Sequence, residues 1–233
     1  EVFPGSSVPN AMVQLSPVTQ FRSGAGYQYE DTVIYGFSHT NKGHWNLLHL
    51  PVLPVTGNVS SGDYASTYSH SNESARPGYY QVFLERYGVN AELTSTLRCA
   101  YHKYTFRPDD DKKVLVDITR TNNGVRDWSI QKVDDYTFSG NQDAEGNIRF
   151  YAVSNYKIED IRQLKDGEHE VSVVSFADSK GSKPLELKIG FSFVSIDNAK
   201  MNLEQEMKDK SFAQVRKEAD KTWENLLSKI EVT

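Results

Sequence analysis

The chain has 233 residues, 38% hydrophobic, 24% charged and 12% aromatic, which is enough for one large domain or two small ones with a real core. Near-average apolar and charged fractions exclude a disordered or collagen-like chain, and no apolar run approaches the ~20 residues a membrane helix needs. Lys+Arg 26 against Asp+Glu 31 gives a net charge of -5, without the basic footprint of a nucleic-acid binder.

Glu1-Val2-Phe3-Pro4 carries no basic segment or apolar signal stretch. From about Val33 to Val194, short apolar or alternating runs follow one another: Val33–Phe37, Tyr79–Leu84, Glu92–Leu97, Tyr101–Phe106, Val114–Ile118, Ile148–Val153, Val171–Phe176 and Leu185–Val194. Val, Ile, Tyr, Phe and Thr dominate them, as a pleated, half-buried surface prefers. Between them stand turn residues, Tyr87-Gly88, Asn122-Asn123-Gly124, Glu145-Gly146-Asn147 and Asp166-Gly167, where Asn and Gly supply positive φ. Strands so spaced, without helices between them, read as an antiparallel sandwich. The period then changes. A short helical stretch is expected over Asn198–Met207, and Ser211 with Gln214 forms a capping-box pattern. Phe212, Val215, Ala219, Trp223, Leu226 and Ile230 recur at spacings of three and four, the mark of an amphipathic helix with one face to bury.

Cys99, the single cysteine, cannot form an internal disulfide and reads as a small buried thiol. The charge run Arg107–Lys113 reads as a solvated hairpin tip. His39, His44 and His49 are spaced by five, which shares no face on a helix and alternates sides on a strand, so no metal site is expected there. One or two hydrogen-bonded histidines at a strand end is the plainer reading. His44 and Trp45 beside Gly43 also suit a sugar pocket, because aromatic faces stack on C–H surfaces while imidazoles bond hydroxyls. Glycoside hydrolysis needs two flanking carboxylates, and neither Glu30-Asp31 nor Glu168-His169-Glu170 stands out as such a pair. The sequence has no Gly-x-Ser-x-Gly elbow, P-loop or dinucleotide fingerprint.

Three blocks carry a resemblance. The first is Met12-Val13-Gln14-Leu15-Ser16-Pro17, then Gly26-Tyr27-Gln28-Tyr29-Glu30-Asp31, leading into Ile34-Tyr35-Gly36-Phe37-Ser38-His39-Thr40. The second runs from Tyr68-Ser69-His70 through Ala75-Arg76-Pro77-Gly78-Tyr79-Tyr80 to Ala91-Glu92-Leu93-Thr94, and the third is Phe191–Ser195, Ala199, Asn202-Leu203 and Trp223. Together they resemble the N-terminal domain of glycoside hydrolase family 92, the exo-acting α-mannosidases. The resemblance implies a mainly β fold: an antiparallel β-supersandwich of the galactose-mutarotase-like type over residues 1–195, then helical linker residues 196–233 leading into an (α/α)6 catalytic barrel beyond this chain. The barrel would carry the general acid, the general base and calcium, so that no catalytic residue and no metal ligand is expected here. The parent would be an inverting glycosidase acting on mannose-containing glycans, exported to the bacterial periplasm or secreted, and this portion alone would be inactive.

The resemblance further implies that sandwich loops close one side of the mannose pocket. His39, His44, Trp45, Phe21 and Arg22 are the substrate-binding candidates. The chain departs from the family in having His44-Trp45 where small residues and an acid are usual, and in a shorter Gln20–Ser23 segment without the usual tryptophan. Phe212, Val215, Trp223 and Leu226 are expected at the interface with the barrel. A stand-alone carbohydrate-binding sandwich is the alternative, and a mutarotase-like enzyme using a His/Glu pair is a third reading.

Overall fold

Clean alternation gives the central strands their sidedness: along Ile148–Ser154 every second residue is buried. The computed structural model describes residues 3–43, 45–166 and 169–229. All pairings in its two large sheets are antiparallel. One sheet has seven strands in the order Ser6–Ser7, Gln14–Val18, Gly36–Ser38, Val52–Val55, Lys113–Val116, His169–Phe176, Ile158–Asp166. The other has eight, ordered Asp127–Lys132, Thr137–Asp143, Ile148–Ser154, Leu185–Ser192, Cys99–Thr105, Val89–Ser95, Tyr79–Leu84, Glu73–Arg76. A shared core, with Phe37, Leu53 and Val114 from the first sheet and Tyr104, Phe150 and Leu187 from the second, joins them into the expected sandwich.

The run Val33–Phe37 differs from expectation. It breaks into Val33–Ile34, paired with Ser66–Thr67, and Gly36–Ser38, which joins the seven-stranded sheet. Gly36 makes the switch at φ +154, pressed so closely on Pro51 and Val52 that a Cβ would lie 3.3 Å from both.

The two helices lie on the outer face of the eight-stranded sheet. Helix α1, Ile196–Met207, starts at an N-cap Ser195 that accepts from the Asn198 amide; α2, Phe212–Leu227, carries both arms of the Ser211/Gln214 capping box. A Cβ on Gly190 would stand 2.2 Å from the Ala199 carbonyl, so a bare strand is what lets α1 come so close. Leu203, Met207, Phe212 and Val215 pack on Tyr79, Cys99 and Tyr101 in a second, smaller core. Burial there raises the Cys99 thiol's pKa, as befits an inert packing residue. No helix among the described residues is long and apolar enough to cross a membrane.

The Arg107–Lys113 run is not wholly solvated. Lys112 is 1% exposed. Its Nζ donates to the Ser179 and Gly181 carbonyls and lies 5.8 Å and 5.5 Å from the Phe106 and Tyr156 ring centroids. Carbonyl dipoles and ring faces replace the lost water.

Between the sheets runs a chain of imidazoles. His39, just after Gly36–Ser38, places Nδ1 3.3 Å from the His49 carbonyl and Nε2 2.9 Å from Nε2 of His102, on strand Cys99–Thr105. The Tyr104 hydroxyl is 2.7 Å from His102 Nδ1. A carbonyl can only accept, so His39 Nδ1 donates and its Nε2 accepts from His102; the Tyr104 hydroxyl then donates to His102. Every nitrogen is used with both rings neutral, and burial lowers the pKa of each, His39 to about 3.

Candidate functional site

At one cluster of loops, residues far apart in the chain are stapled together by one amide. Asn122 Oδ1 accepts from the Arg22 amide at 2.6 Å, while its Nδ2 donates to the Ser23 carbonyl at 2.9 Å and the Asn46 carbonyl at 2.5 Å. Asn46 in turn holds the next turn through its Oδ1, which accepts from the Leu48 amide at 2.8 Å. Gln142 Oε1 does the same for the Leu50 amide at 2.9 Å. Both leucines sit in the left-handed region, at φ 56 and 49, a conformation bulky side chains rarely adopt. The amides and the burial of both leucines hold the backbone there against its own preference.

Beneath this staple lies a cleft of about 490 Å³ lined by Phe21, Arg22, Thr119–Thr121 and Asn122–Gly124. Arg120 is its fixed cation. Arg120 Nε donates to Asp117 Oδ2 at 2.7 Å, and Nη2 to the Tyr64 hydroxyl. Its guanidinium carbon stands 4.2 Å from the Phe21 ring centroid and 5.5 Å from that of Tyr35. Asp117 is wholly buried and also accepts from the Tyr64 hydroxyl, with His169 Nε2 3.2 Å from its Oδ1. Burial alone would lower the Arg120 pKa, but the Asp117 carboxylate and Tyr64 outweigh it and raise it. Burial and then Asp117 push the Tyr64 hydroxyl well up, so Tyr64 stays a donor. Two of the guanidinium's N–H donors are thereby used, and the rest have no partner among the described residues. The cleft thus offers an aromatic face, a guanidinium fork and threonine and asparagine polar groups, which suits a hydroxyl-rich ligand.

Of the candidates read from sequence, Phe21 and Arg22 line this cleft. Trp45 sits half-buried on the adjoining hairpin of Asn41–Lys42 and Trp45–Asn46, outside the lining. His39 does not belong to a site: it is 0% exposed and spends both nitrogens inside the sandwich. His44 lies outside the described residues, as does Glu168. Phe212 and Val215 are committed to the small core against the sheet, and Trp223 donates to the Ser7 carbonyl at 2.7 Å, so that these three dock on the sandwich itself. Leu226 remains 43% exposed. Sequence reasoning missed Arg120, Asp117, Tyr64 and Asn122. Asn122 was visible only as a turn residue, and nothing local marks the other three.

A second concavity, about 540 Å³, shares no lining residue with the first and is formed by Phe3, Pro4, Tyr27–Glu30, His70, Glu73 and Ala75. Glu73 gathers donors there: the Tyr80 hydroxyl at 2.7 Å on Oε1, and the Tyr27 hydroxyl at 3.1 Å and His70 Nδ1 at 2.6 Å on Oε2. Among the described residues no three metal-ligating side chains converge.

The glycosyl hydrolase family 92 N-terminal domain matches residues 1–192 of the chain. Among solved structures, the family GH92 alpha-mannosidase of Bacteroides thetaiotaomicron in complex with mannoimidazole superposes with a TM-score of 0.90 at 27% identity, over 100% of this chain and 35% of that one. The family GH92 inverting mannosidase of the same organism has a TM-score of 0.85 at 21% identity, over 99% of this chain and 34% of that one, and shares the fold. The chain therefore spans about a third of the length of these relatives. No curated protein matches it.

Proposed function

The chain belongs to the glycosyl hydrolase family 92 N-terminal domain family, and on that premise we propose that it serves an exo-α-mannosidase by closing one side of the mannose pocket. The cleft under the Asn122 staple carries this reading. Its Phe21 ring covers a C–H face of the sugar or of the residue linked to it, and the free Arg120 donors and the Thr121 hydroxyl meet the sugar's hydroxyls. The reaction belongs to a helical barrel that supplies acid, base and calcium, with water entering from the face opposite the leaving group. This chain's residues orient the sugar and exclude bulk water, and the domain by itself is inactive. Arg120 suits such a role because Asp117, Tyr64 and the Phe21 ring fix its position before any ligand arrives.

The test is Phe21→Ala in a full-length mannosidase that carries this domain. A fall of about tenfold in kcat/KM on mannobiosides, with the melting temperature kept, is expected from losing one stacked ring. An unchanged kcat/KM would remove the cleft from the pocket.

A further inference from the structure

Outside that cleft, the Tyr27–Glu30 concavity has a built wall of its own. The Tyr29 ring is stacked on His70 with centroids 4.0 Å apart and planes at 4°, yet Tyr29 is 63% exposed, so one face is backed and the other is open. His70 holds that ring from two sides. Its Nδ1 faces the Glu73 carboxylate at 2.6 Å and its Nε2 faces the carbonyl of Tyr29 itself at 2.6 Å. Both partners accept, so both ring nitrogens donate and His70 is an imidazolium in this arrangement. Around it stand Glu73 from its own segment, Tyr29 and Glu30 from the facing loop, and the Tyr68 ring edge-on at 5.3 Å. The Tyr27 hydroxyl, anchored on Glu73, the Gln28 amide and the Glu30 carboxylate line the rest with hydrogen-bonding groups.

We propose that this concavity is a second carbohydrate seat, in which a neutral pyranose lays a C–H face on the open side of Tyr29 and its hydroxyls meet Gln28, Glu30 and Tyr27. A pre-positioned aromatic face ringed by acceptors and donors, at a volume that admits a sugar ring, is the chemistry of such seats. An ammonium ligand is disfavoured because His70 already occupies the cation's place beside Glu73. The seat would hold a glycan residue remote from the one in the cleft, and it stands whether or not the cleft is the mannose pocket.

Titrating this chain with methyl α-D-mannopyranoside, followed by calorimetry and by the tyrosine ring resonances, tests it. Tyr29→Ala should weaken the binding that shifts the Tyr27 and Tyr68 ring resonances about tenfold, the loss of one stacked face, while Asn58→Ala, exposed and outside both concavities, leaves it unchanged. Affinity should also fall as pH rises and His70 loses its second proton, a dependence absent from His70→Phe. Shifts of the Tyr27 and Tyr68 resonances that survive Tyr29→Ala, or that are lost in Phe21→Ala alone, overturn the second seat and leave the cleft as the sugar site. Silence at millimolar sugar, or tetramethylammonium binding in its stead, overturns it too. Loss in Phe21→Ala and Tyr29→Ala together would show one continuous site and equally end the proposal.

Discussion

In the interior of the sandwich, His39 and His102 meet nitrogen to nitrogen; the His49 carbonyl at one end of that chain sets the tautomer of both rings, and burial keeps them neutral. At the Tyr29 concavity, His70 lies between a carboxylate and a carbonyl and carries a charge. The same side chain is thus a dry bridge in one region and a cationic clamp in the other. What differs is the lone pairs it faces and the water it keeps: the first pair is wholly buried, while the His70 side chain is 32% exposed. Their pKa values move in opposite directions accordingly, down by burial for His39, and up through the Glu73 hydrogen bond for His70.

The contrast can be broken most forcefully at the bridge. His39→Ala leaves the buried His102 N–H without an acceptor and opens a cavity, and should cost about 3–4 kcal/mol in urea unfolding. A loss under about 1 kcal/mol would mean the bridge holds nothing. Acid should reveal the same region. Because His39 titrates near 3 when folded and near 6.5 when unfolded, protons favour the unfolded chain, and stability falls as pH drops from 7 toward 4. The effect is roughly 3 kcal/mol for His39 alone, with His49, lowered by burial to about 4, acting in the same direction. Comparing the pH dependence of wild type with His39→Ala measures it, and parallel curves would refute it. Tyr104→Phe, which orphans His102 Nδ1, should cost about 1–2 kcal/mol. The smallest effect belongs to the clamp. His70→Gln should change stability by less than about 1 kcal/mol, in the reverse sense, because a raised pKa contributes below pH 6.5 and is lost as pH climbs through the folded value. Thermal melts between pH 6 and 9 would show that small slope vanish in the variant.

Much of this was legible in sequence where one face of a strand is buried and the other wet. Tyr79–Leu84 and Ile148–Ser154 announced themselves, and so did the Ser211 cap. Val52–Val55 did not, because all four residues are buried and no alternation survives; Asp127–Lys132 did not, because it is a mostly polar edge strand. The family resemblance pointed to Phe21 and Arg22, both in the cleft. Arg120, Tyr64 and Asn122 escaped because their meaning lies in partners brought together by pairing across the sheet. His39 misled for the same reason: the residue that explains it, His102, is on the other sheet.

One bond carries a mechanical consequence. The Trp223 indole reaches the Ser7 carbonyl, so the last helix is latched to the first strand of the seven-stranded sheet. A load arriving through α2 reaches the edge strand beside it without crossing the width of either sheet. A pull on α2 is therefore shared between two anchorages, the small core under Phe212 and Val215 on one sheet and the edge strand of the other.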